Sequence, residues 1–208
     1  KVYACETLES GARVEASLAG VSRNPIFRHV LTVRVDADGR ISVQLEGTVR
    51  ENAVWLPRLG FAFTLPNGNM PFRYYGCGPL ESYCDMRHGS AVGLYESTAE
   101  LEFVPYVRPQ EHGNHVDVRL LEIGKLRFES NLPFSINVSK YSTAALDHAE
   151  HTNELVSDGK THLRVDYKVS GIGSNSCGPE LEPQYRLSDR NIKFTYVIVP
   201  KTKQKERS

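Results

Sequence analysis

The sequence predicts an all-β fold: a large antiparallel β-sandwich with one short helix. Three observations carry the prediction. Apolar and polar residues alternate at period two in segment after segment, as half-buried strands require. Gly, Pro, Asn and Asp turn signals separate those segments at intervals of about ten residues. Helical patterning is confined to Ser142–Ala149, where Ser142 stands ready to cap the first turn. Strands joined by turns, without helical crossovers, select antiparallel pairing over βαβ units.

In chain order, residues 1–20 offer only a short alternation through Val14, Ala16 and Leu18. The first firm element is a hairpin from His29 to Glu46. Leu31, Val33 and Val35 alternate with Thr32, Arg34 and Asp36, and Ile41, Val43 and Leu45 with Ser42, Gln44 and Glu46. A two-residue Asp38-Gly39 turn would set Val35 against Ser42 and Val33 against Gln44, mixing apolar with polar on one face. A three-residue Ala37-Asp38-Gly39 loop, with Gly39 left-handed, sets Val35 against Ile41, Val33 against Val43 and Leu31 against Leu45, and is the predicted register. It also brings Asp36 opposite Arg40, a contact worth only a few tenths of a kcal/mol if exposed.

Leu56–Leu65 is the next strand. Leu59, Phe61, Phe63 and Leu65 share one face, and Gly60, Ala62 and Thr64 the other, where residues so small predict a second layer packed closely. Pro66-Asn67-Gly68-Asn69 ends it. Leu101 and Phe103 continue the alternation up to Pro105, and Val116, Val118 and Leu120 resume it. Phe134, Ile136 and Val138 form one further apolar face, Leu163, Val165, Tyr167 and Val169 another, and Ile192, Phe194, Tyr196 and Ile198 the last. Trp55, the single tryptophan, sits beside Leu56 and reads as core. Residues 1–200 read as a single β-sandwich domain and, since the first residue is Lys, as a fragment of a larger domain or protein. Residues 201–208 are charged and apolar-free, and read as a flexible tail.

Composition narrows the function classes. Lys+Arg 25 balance Asp+Glu 25, so no net field gathers nucleic acid or acidic lipid. No stretch nears the roughly 18 apolar residues of a membrane span, and the N-terminus lacks a signal-peptide layout, so the predicted compartment is the cytoplasm. Cys5, Cys77, Cys84 and Cys177 show no C-x-x-C spacing and are expected as free thiols.

Two stretches, Phe72–Arg87 and Pro105–His115, concentrate aromatic, Gly/Pro and ionisable residues beyond what a plain strand needs, and are expected to be ordered, polar-lined loops. The carboxylates Glu81, Asp85, Glu102, Glu111 and Asp117 are of the type a glycosidase uses, which needs two carboxyls about 5 to 9.5 Å apart. They are equally the type that forms salt bridges or accepts backbone amides in loops. Gly171–Pro179 lacks the Gly-Lys-Ser/Thr of a phosphate loop. It reads as a plain connection or as a polar rim for a hydroxylated ligand, with Ser174, Asn175 and Ser176 as donors and acceptors and the glycines admitting close backbone approach. His148 with His151, and His112 with His115, lack a third metal ligand. Asn137-Val138-Ser139 has the glycosylation pattern but falls in an expected strand.

Five motifs stand in order along the chain: Leu56-Pro-Arg-Leu-Gly-Phe, Tyr75-Gly-Cys-Gly-Pro-Leu-Glu-Ser-Tyr-Cys-Asp, Pro105-Tyr-Val-Arg-Pro-Gln-Glu-His-Gly-Asn, Phe134-Ser-Ile-Asn-Val-Ser-Lys-Tyr-Ser and Gly171-Ile-Gly-Ser-Asn-Ser-Cys-Gly-Pro. Together, over residues 28 to 199, they resemble the C-terminal small-chain region, the fifth domain, of the bacterial β-galactosidases of glycoside hydrolase family two. The resemblance implies a supersandwich similar to the aldose mutarotases. It implies catalytic glutamates on a separate TIM-barrel domain and none in this segment, which instead lends a loop to the active-site mouth. Ser174, Asn175, Ser176 and Cys177 are then the substrate-binding residues, with Cys177 where many relatives carry a stacking Trp; His112 and His115 stand where relatives tend to have Asn and Arg. The resemblance further implies no cofactor in this segment, Mg and Na ions in the full-length enzyme, and three partners: the TIM-barrel domain, a galactoside such as lactose, and further subunits of a homo-oligomer. Two other readings stay open: a stand-alone carbohydrate-binding sandwich, and a mutarotase-like epimerase using His112 and Glu111.

Overall fold

The computed structural model describes residues 1–21, 23–53, 55–173 and 178–201. In chain order the strands are β1 (Val2–Leu8), β2 (Gly11–Ala19), β3 (Pro25–Val35), β4 (Ile41–Val49), β5 (Arg58–Leu65), β6 (Pro71–Gly78), β7 (Ala91–Thr98), β8 (Asn114–Ile123), β9 (Leu126–Ser139), β10 (Thr161–Val169) and β11 (Asn191–Pro200). Among the described residues the one α-helix, α1 (Thr143–His148), follows β9. Ser142 Oγ accepts the Ala145 N–H at 3.1 Å, the cap its sequence position predicts. The fold is therefore the expected all-β, antiparallel sandwich class with one short helix.

The chain forms two compact units. The first comprises Lys1–Trp55, Lys125–Asn131 and the chain from Ser188. Its strands pair in the order β1-β2-β3-β4-β11, and β11 also pairs with the start of β9, Leu126–Glu129. The hairpin β3–β4 has the predicted register, with Val35 against Ile41, Val33 against Val43 and Leu31 against Leu45. Gly39 has φ +77°, the left-handed conformation a side chain would resist. Asp36 Oδ1 accepts the Arg40 N–H at 2.9 Å across the turn. Phe27, Val43, Leu45, Phe128, Ile192, Phe194 and Tyr196 are buried, each contributing ~1.5–3 kcal/mol by leaving water. Residues 1–20 give two strands rather than one. β1 is exposed over almost its whole length, so no buried face imposes an alternation on it.

The second unit comprises Leu56–Gly124 and Leu132–Leu187. Here β7-β6-β8 pair in that order, and β10 pairs with β5 on one side and with β9 on the other. Every residue from Phe134 to Ser139 is buried, so this half of β9 is covered on both faces. Several expectations are corrected here. Residues 72–78, read as loop, are strand β6, whose Phe72 and Tyr74 are buried while Arg73 and Tyr75 are exposed. β7 carries no clear apolar face to mark it in the sequence: Val92 and Leu94 stay 53% and 59% exposed, while the half-buried positions hold Gly93, Tyr95 and Ser97. Leu101 and Phe103 lie in a turn, with Leu101 75% exposed. Among the described residues no layer covers Gly60, Ala62 and Thr64, which are exposed. Gly60 answers to its neighbour strand instead: a Cβ there would stand 2.2 Å from Asp166 Oδ1. Trp55, expected in the core, is only half-buried.

Candidate functional site

The second unit brings the motif loops together. Strand β6 ends in the buried Gly76-Cys77-Gly78, followed by a cis Gly78–Pro79 peptide. Gly78 admits Tyr74 and Tyr95 so closely that a Cβ would stand 2.1 Å from the Tyr74 hydroxyl. Ser82, wholly buried, then fastens the turn to β8: its Oγ donates to Cys77 O at 3.3 Å and accepts the Val116 N–H at 3.1 Å. Asn114 Nδ2 donates to Ser82 O at 2.9 Å. A Ser, with one donor and two lone pairs on a short arm, fits this bridging duty.

Around this clip run polar networks, buried at His115 and exposed at Asp117 and Asp85. His115 Nε2 lies 2.8 Å from Glu102 Oε2, and His115 Nδ1 lies 3.0 Å from the Tyr74 hydroxyl and 3.2 Å from Cys77 O. Glu81 accepts the Tyr106 hydroxyl on one oxygen and the Gly113 N–H, at 2.7 Å, on the other. Arg58 pairs with Glu111 and with the buried Asp166. Asn137 Nδ2 donates to His112 O. Asp117 meets Arg87 at 2.5 Å, and Asp117 itself has φ +58°. Asp85 Oδ1 accepts the Ile172 N–H at 3.1 Å and Oδ2 the Gly173 N–H at 2.9 Å.

Burial dominates the electrostatics. It pushes the phenols of Tyr74 and Tyr83 well above their ordinary value, with the charges of Glu102 and Glu81 adding to the respective shifts. Tyr106 is pushed up to about 12 by burial and by its bond to Glu81. Burial likewise raises the Cys84 thiol, and Asp85 adds to it. For the Arg58–Asp166 pair, burial works against both charges, and each partner's charge opposes that shift.

All five carboxylates singled out from the sequence are thus engaged: Glu81 by Tyr106 and Gly113, Asp85 by two amides, Glu102 by His115, Glu111 by Arg58 and Asp117 by Arg87. The amides on Glu81 and Asp85 come from other loops, not from the Gly78-Pro79 turn. His112 is held by its Nδ1 at 2.7 Å from Gln110 O. His148 and His151 diverge, the first to Ala144 O and the second to Glu154. Cys5, Cys77 and Cys84 are free thiols, as expected. Asn137 is buried with its amide nitrogen already committed, which closes the glycosylation pattern to use. Ser174, Asn175, Ser176 and Cys177, the expected substrate-binding residues, lie outside the described residues, as do residues 202–208 of the tail. Among the described residues no group of three or more His, Cys, Asp or Glu side chains is placed to hold a metal ion, and no helix is long and apolar enough to cross a membrane.

Sequence reasoning missed Arg58, Asp166, Tyr106 and Asn137 as network members. Three of them lie inside the five motifs, yet their partners sit 25 to 108 residues away. The pocket beside the networks, bounded by Tyr74, Leu80, Glu81, Tyr95 and Glu102, measures about 190 Å³. That is below the roughly 300–1,000 Å³ of ordinary small-molecule sites. In the first unit, a groove of about 510 Å³ is lined by Tyr3, Glu15, Arg28 and Lys193, but the Tyr3 ring already carries the Arg28 and Lys1 cations.

In class, the chain is an antiparallel β-sandwich module whose signature loops are held by polar networks. Residues 3–198 match the family described as the beta galactosidase small chain. The chain is 36% identical over 186 residues to a beta-galactosidase of Actinobacillus pleuropneumoniae, covering 89% of this chain and 18% of that protein. It is 35% identical over 176 residues to one of Staphylococcus xylosus, covering 83% and 18%, and 38% identical over 146 residues to one of Kluyveromyces lactis, covering 67% and 14%. The chain belongs to the β-galactosidase small-chain family, and it spans less than a fifth of the length of these relatives.

Proposed function

We propose that this chain is the accessory sandwich of a β-galactosidase that hydrolyses terminal β-D-galactosides such as lactose. In this reading the catalytic carboxylates stand on a separate TIM-barrel domain. The chain supports the active-site mouth through residues 171–179, with Ser174, Asn175, Ser176 and Cys177 facing the substrate, and packs against neighbouring domains or subunits. Mg and Na ions belong to the full-length enzyme, which works as a homo-oligomer in the cytoplasm. The observation that carries the reading, beside the family, is the engagement of Glu81, Asp85, Glu102, Glu111 and Asp117 in structural partnerships. A glycosidase needs one carboxyl free to protonate and one to attack or activate water. The same observation weighs against an epimerase built on Glu111 and His112, since Arg58 holds the first and Gln110 O the second.

The test is hydrolysis of a chromogenic β-galactoside by this chain alone and by this chain mixed with the rest of its polypeptide. Activity only after mixing supports the reading. Activity of the chain alone sinks it.

A further inference from the structure

Building on the mouth role proposed for residues 171–179, we infer that Asp85 is a positioning residue for the substrate-facing segment, fixing the backbone from which that segment departs. Asp85 closes the Tyr75–Asp85 motif, and Gly171–Gly173 opens the other. The two are joined by one carboxylate with an oxygen on each of two consecutive amides, Ile172 N–H at 3.1 Å and Gly173 N–H at 2.9 Å. Two anchored amides fix both the position and the tilt of the peptide between them, and bonds to an ionised acceptor are about twice as strong as neutral ones.

The surrounding geometry is built for that approach. A Cβ on Gly171 would stand 2.5 Å from Asp85 Cγ, and Gly173 has φ +56°, so both glycines are needed where they are. The backbone just before them is pinned from the other side. Gly171 N–H donates to Tyr185 O at 2.8 Å. Ser170 Oγ donates to Leu56 O at 2.7 Å and accepts the Leu187 N–H at 2.8 Å. Among the described residues no cation pairs with Asp85, so its charge is matched by these amide dipoles. An Asn in its place would turn one acceptor into a donor facing an N–H.

The experiment compares Asp85→Asn, Gly171→Ala and Asn175→Ala in the assembled enzyme, with amide hydrogen exchange at Ile172 and Gly173 on the same proteins. Asp85→Asn is expected to speed exchange at both amides about tenfold and to raise KM for a chromogenic β-galactoside about tenfold, with kcat changed less than about twofold. Gly171→Ala displaces the carboxylate without removing its charge and should reproduce that split; it also decides the matter if Asp85→Asn fails to fold. Faster exchange with unchanged KM, while Asn175→Ala raises KM, overturns the inference and leaves the mouth reading standing. Unchanged KM in Asn175→Ala as well overturns both. Loss of assembly with kcat and kcat/KM falling together would make Asp85 merely structural, and overturns the inference too.

Discussion

Glu102 Oε2 stands 2.8 Å from His115 Nε2, with His115 sealed from solvent and Glu102 only 9% exposed. Nothing else within the network can take over the Nε2 side of the ring, since the Tyr74 hydroxyl and Cys77 O both lie at Nδ1. Glu102→Ala therefore strands a buried polar nitrogen and is predicted to cost about 2–3 kcal/mol in urea unfolding. Glu102→Gln keeps an acceptor at that place and should cost less. Equal midpoints for wild type and Glu102→Ala would mean that water reaches His115.

Arg58 on β5 pairs both with Glu111 in its loop and with the buried Asp166 on the neighbouring strand β10. Removing it takes the ion-pair partner from Asp166, which is 1% exposed, and breaking such a pair typically costs about 3–5 kcal/mol. Arg58→Ala is predicted to destabilise by that amount near neutral pH. Arg58→Lys should recover only part, because an ammonium cannot present a planar fork to two carboxylates. Burial already raises the Asp166 pKa, and with Arg58 gone it is opposed by the Arg164 charge but no longer by Arg58, so the pKa rises further above the unfolded value. Its protonated form then favours the fold, an advantage lost as pH rises, so the cost of Arg58→Ala should shrink on acidification. A cost independent of pH would count against this account.

Alkaline unfolding follows from the buried phenols. Tyr74, Tyr83, Tyr106 and Tyr196 all have folded pKa values raised above the ordinary 10.0, chiefly by burial, Tyr106 to about 12. A raised folded pKa means the fold holds the proton more tightly than the unfolded chain does. That contribution is fully present below pH about 10 and is lost as pH climbs toward the folded values. Thermal stability should therefore fall steeply from about pH 10 to pH 12, and part of the tyrosinate absorbance should appear only with unfolding. Smooth titration of every tyrosine in the folded chain would contradict it.

What the sequence disclosed follows from how each element is stabilised. The β3–β4 register was legible because one face is apolar on both strands only when a three-residue loop joins them, and Gly39 supplies the left-handed residue that loop demands. β11 was legible for the same reason, Ile192, Phe194, Tyr196 and Ile198 all being buried. β1 and β7 were not, because they bury little and pattern follows burial. Strand β6 hid inside a motif whose glycines look like loop punctuation but serve Tyr74, Tyr95 and Val118, which crowd them. The candidate site was legible as motifs and illegible as pairs. Nothing local to Glu81 points to Tyr106, or local to Asp85 to Gly173, since such partners are chosen by the fold and not by spacing.

Asn137 shows how that difference decides chemistry. By pattern alone, Asn137-Val138-Ser139 is an acceptor for a glycan; by position it lies in the covered half of β9, opposite Arg164 on β10, with its amide nitrogen donating to His112 O. A glycan on that nitrogen would have to displace the bond and open both layers, so the folded chain passed through a glycosylating pathway is predicted to emerge unmodified at Asn137. The same bond predicts the effect of an isosteric change. Asn137→Asp replaces the donor by an acceptor facing a carbonyl, in a site where an unpaired charge is costly, and should destabilise by about 2–4 kcal/mol at neutral pH. Protonating that Asp would restore a donor, and burial raises its folded pKa above the unfolded value of about 4, so the deficit should narrow as pH falls toward about 4 and be smallest below it. Mass spectrometry of the secreted chain and urea unfolding at two pH values check the two halves, and a modified Asn137 in folded protein would show that the strand opens where it is drawn as closed.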